Sequence, residues 1–177
     1  ADKYGFVLWV DEQSHLLLRV DMVDKEGNLV EQVLGVDLDR QPAPAPWLVT
    51  LARSKLPDAL ALEDAYPAPQ QTLNWHLTWL PGGFKVLSQD RHQLVSTSLP
   101  VDYMMLSDGV VDLSVYVSRV DPKQAVRQQL IRQGATSLVS FVNEVGVEIT
   151  VVGEVPTETA KRIAESVQPL ARNEAVQ

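Results

Sequence analysis

The sequence predicts an α+β fold in which a small antiparallel β-sheet domain ends in a C-terminal helix and is preceded by a β-meander. The clearest observation is a direct change from strand to helix near the C-terminus. Residues 144–152 alternate apolar and polar side chains with the period of a half-buried strand. Apolar side chains then fall on one helical face, namely Ala160, Ile163, Ala164 and Val167. Pro156 and Thr157 mark the helix start, where the threonine oxygen is expected to accept from a free amide. The predicted helix can therefore lie back on the sheet.

Three pairs of β-rich segments are expected to build the sheet of the small domain. The pairs are 73–79 with 84–88, 101–106 with 110–117, and 136–142 with 145–152. The turn signals between them include Pro81 with two glycines, and Asp108 with Gly109. Residues 121–133 are polar apart from a few apolar residues, including Val126, Leu130 and Ile131, and predict either a short helix or a mobile loop. We therefore expect five or six antiparallel strands and one C-terminal helix.

The first 40 residues predict a meander of three antiparallel strands. The β-rich runs are 6–10, 16–22 and 29–36, and polar turn sequences separate them. A sheet of this size is marginal unless a face is covered, and open edges and faces invite association. We therefore expect a fragment of a larger sheet, or a sheet completed by another chain, and a homo-oligomer.

A proline-rich segment separates the two β-rich parts. Residues 41–46 and 66–71 contain five prolines, which cannot donate to a β-ladder and favour extended neighbours. Between them, residues 47–62 have apolar side chains at helical spacing, which predicts a short helix. The predicted division is a β-meander at 1–40, a linker at 41–72 and the small domain at 73–170.

Composition disfavours several functional classes. The chain has 177 residues and no cysteine, which removes disulfides, thiolate metal ligands and cysteine nucleophiles. Its net charge of −8 argues against a nucleic-acid partner, and no apolar run approaches the roughly 20 residues of a membrane span. We expect a soluble chain, either mature or truncated.

Catalysis is also disfavoured. The histidines His15, His76 and His92 lie far apart without metal-ligand spacing, and no Gly-x-Ser-x-Gly motif occurs. A Ser, His, Asp triad is not excluded by sequence order alone. We predict no catalytic, metal-binding or cofactor-binding residues.

Several segments together resemble the RseB/MucB family of sigma-E regulatory proteins. In the small domain they are Trp75 with 79–85, 103–109, 114–117, 151–156 and 162–167. Residues 4–11 and 16–21, followed by Gly27, Leu29, Glu31 and Gln32, are similar to the last strands of the family's large lipoprotein-carrier-like (LolA-like) domain. The resemblance covers most of the chain except the linker. It implies that the β-meander is a fragment of a LolA-like curved sheet.

The resemblance implies a periplasmic negative regulator of the envelope stress response. Family members bind the periplasmic part of the anti-sigma factor RseA/MucA and protect it from the site-one protease by occlusion. They release it when lipoprotein or lipopolysaccharide ligands accumulate. The small domain resembles the family's main anti-sigma-binding module, whereas only the closing strands of the large domain are present. The alternative is a lipid or lipoprotein carrier or sensor of the LolA-like class, which requires a closed apolar cavity.

Two groups of residues are candidates for binding a partner. Trp75, Trp79, Phe84, Met104 and Met105 form either an apolar groove for an amphipathic segment or part of the core. The two methionines are consecutive on a strand and face opposite ways, so one of them leaves the core. The second group is cationic and consists of Arg119, Lys123, Arg127 and Arg132. These side chains either bind an acidic partner or an anionic lipid headgroup, or they belong to a solvated loop without a binding role. Binding is also expected on the second face of the sheet or at the linker junction.

Overall fold

The computed structural model describes residues 2–38, 41–55, 72–92, 100–120 and 128–170, and within these it has eleven strands and two helices. The N-terminal elements are β1 (Gly5–Val10), β2 (Leu17–Val23), β3 (Leu29–Leu34) and α1 (Pro46–Arg53). The next strands are β4 (Trp75–Leu77), β5 (Lys85–His92), β6 (Val101–Ser107) and β7 (Asp112–Arg119). The last elements are β8 (Gln129–Gln133), β9 (Thr136–Val142), β10 (Val147–Gly153), α2 (Thr157–Glu165) and β11 (Val167–Pro169). The predicted α+β class with a C-terminal helix is confirmed.

The N-terminal sheet is the predicted meander, with β2 between β1 and β3 and all strands antiparallel. Asp24 closes the second turn by accepting the backbone N–H groups of Glu26 and Asn28, and Gly27 provides the positive φ of 83°. Consecutive apolar side chains of β1 are exposed, including Phe6, Val7 and Leu8. Neighbouring strand residues point to opposite faces, so this sheet has apolar side chains open to solvent on both faces.

The main sheet has six antiparallel strands in the order β5-β6-β7-β10-β9-β8. The predicted β6–β7 and β9–β10 hairpins are present. In the β6–β7 turn, Asp108 Oδ1 accepts from the backbone N–H groups of Val110 and Val111 at 3.0 and 2.9 Å, and Gly109 takes a φ of 91°. An Asp-Gly signal in the sequence therefore determines this turn locally.

The predicted pairing of 73–79 with 84–88 is wrong. Strand β4 pairs with β11 in a separate two-stranded sheet, where Val167 lies opposite Leu77. Together with α2, this small sheet forms a second layer on one face of the main sheet. The arrangement buries the Trp75 ring inside the core, which a place at the edge of the main sheet would not do.

The expectation of a helix or loop at 121–133 is also wrong where the structure describes the segment. Residues 129–133 form β8, an edge strand of the main sheet whose five residues are all exposed. The polar residues Gln129, Arg132 and Gln133 suit this exposed edge, and the apolar Leu130 and Ile131 are exposed there as well. Residues 121–127 lie outside the described residues.

The core lies between the inner face of the main sheet and the layer of α2 with β4 and β11. Its fully buried side chains include Leu106, Leu113, Val115, Val139, Val151 and Ile163. As predicted, α2 buries Ala160, Ile163 and Ala164 on this face, whereas Val167, expected on the same helical face, lies in β11. The expected threonine cap is wrong, because Pro156 is the N-cap residue and no side chain caps the helix. The Thr157 hydroxyl instead lies 3.2 Å from that of Ser137, whose hydroxyl donates to the Val155 carbonyl at 2.8 Å.

The predicted linker helix is present as α1, which begins with a proline in its first turn and has no buried residue. It occupies the first half of the predicted range, and residues 56–71 lie outside the described residues. Neither described helix has the length and apolarity needed to cross a membrane.

A small contact joins the N-terminal sheet to the turns at one end of the main sheet. Lys3 Nζ pairs with Asp108 Oδ2 at 2.9 Å, and the Thr159 hydroxyl donates to the Asp2 carbonyl at 2.9 Å. The Ala135 backbone N–H donates to Glu31 Oε2 at 3.2 Å. Partial burial of the Asp108 carboxyl opposes ionisation, but Lys3 and the turn amides outweigh it and lower its pKa. These contacts define the sheet junction.

Candidate partner-binding cleft

Three of the predicted groove residues lie in the core. Trp75, Phe84 and Met104 are buried members of the main hydrophobic cluster. Met104 belongs to the inner face of β6 together with Leu106, since alternate strand residues share a face. These three residues therefore pack in the core, which the sequence offered as the alternative to a groove.

The other two groove residues are half-buried and lie apart. Met105 belongs to the outer face of the main sheet, where Tyr103 and Tyr116 have ring centroids 5.2 Å apart. Trp79 packs at the margin of the core, and the Arg162 guanidinium lies 3.8 Å from its ring centroid. This cation–π contact links the loop after β4 to α2.

The predicted cationic group is spread across the main sheet. Arg119 is exposed at the end of β7, and Arg132 is exposed on β8, with β10 and β9 between the two strands. Lys123 and Arg127 lie outside the described residues. The described part of the chain therefore does not bring Arg119 and Arg132 together.

A cleft of about 360 Å³ opens at the end of the main sheet away from the sheet junction. We call it the Trp75 cleft. Its apolar floor consists of Trp75, Val117, Val147, Ile149 and Val167. Its polar rim consists of Asn74, Arg91, Asp102, Ser118, Arg119 and Asn143. The floor is built where β4 and β11 lie over the ends of β7 and β10, so the cleft exists only because two layers meet there.

The single carboxylate of the rim is already fully engaged. Arg91 lies opposite Asp102 in the β5–β6 register, and its Nε and Nη2 donate to the two carboxylate oxygens at 2.6 and 3.3 Å. The Trp75 Nε1–H also donates to Asp102 Oδ2, at 3.0 Å. The indole ring therefore presents only its apolar surface to the cleft.

Arg119 supplies the remaining charge of the rim. Its side chain is exposed, and among the described residues no carboxylate oxygen lies within salt-bridge distance of it. With Asp102 neutralised by Arg91, the described residues of the rim have one excess positive charge, in a chain of net charge −8. An apolar floor under a cationic rim suits an anionic group attached to an apolar one.

Sequence reasoning found two of the cleft residues, Trp75 and Arg119, and missed the Arg91–Asp102 pair. The two partners are eleven positions apart and meet only through strand register, which no local pattern in the sequence encodes. Asn143 lies between the predicted strands 136–142 and 145–152, and its Oδ1 holds the turn there by accepting from the backbone N–H groups of Val145 and Val147. Within the described residues, no cluster of histidine, aspartate and glutamate has the geometry of a metal site.

An open, cationic-rimmed cleft on a two-layer antiparallel fold defines a binding module, and comparison with known proteins gives its family. The family model described as the MucB/RseB C-terminal domain matches residues 69–168, and that of the MucB/RseB N-terminal domain matches residues 1–60. The chain belongs to the MucB/RseB family.

Curated relatives are named as regulatory proteins. The chain is 34% identical over 167 residues to the sigma-E factor regulatory protein RseB of Escherichia coli, covering 94% of this chain and 51% of the relative. It is 30% identical over 177 residues to the sigma factor AlgU regulatory protein MucB of Pseudomonas aeruginosa, covering 96% and 53%. The chain thus spans about half the length of the curated relatives it matches.

Solved structures of the family share the fold. A crystal structure of MucB in complex with the periplasmic part of MucA matches with a TM-score of 0.75 and 27% identity, covering 96% of this chain and 58% of that one. A crystal structure of MucB without a named partner matches with a TM-score of 0.54 and 26% identity, covering 95% and 54%.

Proposed function

We propose that this chain is the partner-binding part of a periplasmic negative regulator of the sigma-E type envelope stress response. In this role it binds the periplasmic part of an anti-sigma factor. The observation that carries the proposal is the likeness, at a TM-score of 0.75 over 96% of the chain, to MucB in complex with the periplasmic part of MucA. The names of the curated relatives, which are sigma-factor regulatory proteins, support the same role.

The proposed mechanism is occlusion. A bound anti-sigma segment is covered by the regulator, so the site-one protease does not reach its cleavage site and the sigma factor stays inactive. This mechanism requires complementary surface and no chemical step. The Trp75 cleft and the half-buried outer face of the main sheet, which includes Met105, supply such surface on the domain at residues 73–170.

We propose that partner contacts come from the exposed members of the predicted set. Met105, Trp79 and Arg119 reach the surface at least partly, and Arg127 remains a candidate from the sequence alone. Buried Trp75, Phe84 and Met104 support these surfaces from beneath. The division into a meander at 1–40, a linker at 41–72 and this binding domain is part of the proposal.

The N-terminal sheet supports a second element of the proposal. Its apolar side chains are open on both faces, as expected for strands that complete a larger lipid-sensing sheet or pair with a second copy. Lipoprotein or lipopolysaccharide ligands would act through the complete large domain. Homo-oligomerisation of this chain would cover the same side chains.

The test measures binding and protection together. The chain is titrated calorimetrically with the periplasmic domain of its cognate anti-sigma factor, with the MucB–MucA pair as a positive control. The same mixture is then exposed to the site-one protease. We expect saturable binding and slower cleavage; absence of binding while the control pair binds would refute the proposed function. Binding without any slowing of cleavage would refute the occlusion mechanism.

A further inference from the structure

We infer that the Trp75 cleft binds one acidic peptide segment of the anti-sigma partner, with an apolar side chain on the cleft floor and a carboxylate at Arg119. This inference rests on the proposed function and assigns the contact to one place on the domain. The cleft lies at the end of the main sheet opposite the sheet junction, so the N-terminal sheet does not cover it.

The floor selects an apolar group. Val117 and Ile149 are buried beneath it, and the only polar atom of the Trp75 ring is already bonded to Asp102. A polar side chain placed on this floor would lose its water without gaining a partner, whereas an aliphatic or aromatic side chain buries its surface favourably. The volume of about 360 Å³ lies at the low end for ligand sites, which fits one anchoring side chain and its neighbours.

The rim selects a negative charge next to that anchor. Because both oxygens of Asp102 accept from Arg91, the free cation among the cleft-lining residues that the structure describes is Arg119. A carboxylate at this position gains a charge-assisted hydrogen bond from the guanidinium, while a positive group meets repulsion from Arg119. The rim therefore favours acidic segments over basic ones.

The remaining rim groups favour a peptide over an acyl chain. Asn74 and Ser118 line the cleft, and Asn143, which uses its amide oxygen in the β9–β10 turn, adds an NH₂ donor to the lining. Peptide carbonyls and amides offer hydrogen-bond partners to these groups, and a hydrocarbon chain offers none. A peptide segment satisfies floor and rim together.

Two charge-introducing variants with matched controls test the assignment. Arg119→Glu reverses the free rim charge, and its control, Lys85→Glu, makes the same change at the opposite end of the sheet. Val145→Glu adds a negative charge at the mouth from a turn valine that is 80% exposed, and its control, Val110→Glu, changes a valine 72% exposed in the distant β6–β7 turn. All four sites are exposed, so we expect unchanged thermal unfolding.

The variants are titrated with the periplasmic domain of the cognate anti-sigma factor. We expect each cleft variant to weaken binding by about tenfold or more and each control by less than about twofold. If the wild type binds and the cleft variants bind equally well, the cleft assignment is refuted while the proposed function stands. Equal weakening by cleft and control variants would also refute the cleft assignment, because binding would then depend on the overall charge of the protein and not on the position of the charge.

A vesicle experiment separates a peptide from a lipid headgroup. The wild type and Arg119→Glu are incubated with vesicles containing phosphatidylglycerol, and retention is measured by sedimentation. We expect no difference in retention between the two proteins. Vesicle capture that is lost in Arg119→Glu, while affinity for the anti-sigma domain is unchanged, would overturn the peptide assignment in favour of an anionic lipid.

Discussion

Gly153 is the last residue of β10, before the turn that leads to α2, and we expect Gly153→Ala to destabilise the main sheet strongly. An added Cβ at this position would lie 2.4 Å from the Leu113 Cβ, 2.9 Å from the Leu113 Cα and 3.0 Å from the Asp112 carbonyl oxygen. Carbon atoms in good contact are about 3.5–4.0 Å apart. The distance from the added Cβ to the Leu113 Cβ is therefore too short by about 1 Å or more. The close atoms belong to the backbone and Cβ of β7, which no rotamer change can move.

The expected cost follows from overpacking in a closed core. Leu113 is buried and paired directly opposite Gly153, so β7 and β10 must separate to admit the methyl group. Overpacking costs about 1–3 kcal/mol, and we expect the upper end, reduced by about 0.4–1 kcal/mol for the lower entropy of the unfolded alanine chain. A net loss of about 2–2.6 kcal/mol corresponds to a fall in melting temperature of about 10–20 °C for a domain of about 100 residues.

Urea unfolding at 25 °C, followed by circular dichroism, measures this loss, and thermal unfolding checks it. Gly82→Ala is the matched control, since nothing lies within 4 Å of an added Cβ there. We expect the control to be neutral or slightly more stable than wild type. If both variants unfold at the same urea concentration, β7 and β10 do not approach each other at Gly153 as described, and the reasoning is refuted.

Three further predictions concern the core and the sheet junction. Met104 is 3% exposed, so Met104→Ala should lower the free energy of unfolding in urea by about 2–5 kcal/mol. Met105 is half-buried, so Met105→Ala should lower it by clearly less. Equal losses would contradict the assignment of the two methionines to opposite faces of the sheet. Ser137→Ala leaves a buried carbonyl without its donor and should cost about 1–3 kcal/mol in the same assay, whereas an unchanged midpoint would contradict that hydrogen bond. Asp108 has a lowered pKa, so its ionised form stabilises the fold above the unfolded pKa of about 3.9, and this stabilisation is lost as pH falls through the folded pKa. The melting temperature of wild type should therefore exceed that of Asp108→Asn at pH 7 and approach it in acid; a constant difference would contradict the pairing with Lys3.

Local signals predicted most of the strands because the residues that form each turn are adjacent in the sequence. Asp108 and Gly109 close one hairpin through contacts within four residues, and Asn143 closes another in the same way. The alternation of β7 and β10 likewise predicted which side chains are buried. These elements need no information from distant parts of the chain.

Other elements were mispredicted because their sequence fits more than one environment. Residues 129–133 form an exposed edge strand, yet their mixture of polar residues with Leu130 and Ile131 also suits a loop or a short helix. The apolar alternation around Trp75 is that of a strand, but which strand it pairs with depends on β11, more than ninety positions later. Pairing at this separation is decided by how the layers pack and not by local propensity.

The sequence by itself determined the α+β class, the two main hairpins, the amphipathic C-terminal helix and, through resemblance, the family. The tertiary structure alone decided which tryptophan is buried, which methionine faces outward and where the Trp75 cleft lies. The Trp75 cleft requires β4 and β11 to lie over the ends of β7 and β10, and its charge requires Arg91 to meet Asp102 across two strands. Such features arise from register and from the meeting of layers, which are set by the packing of the whole chain.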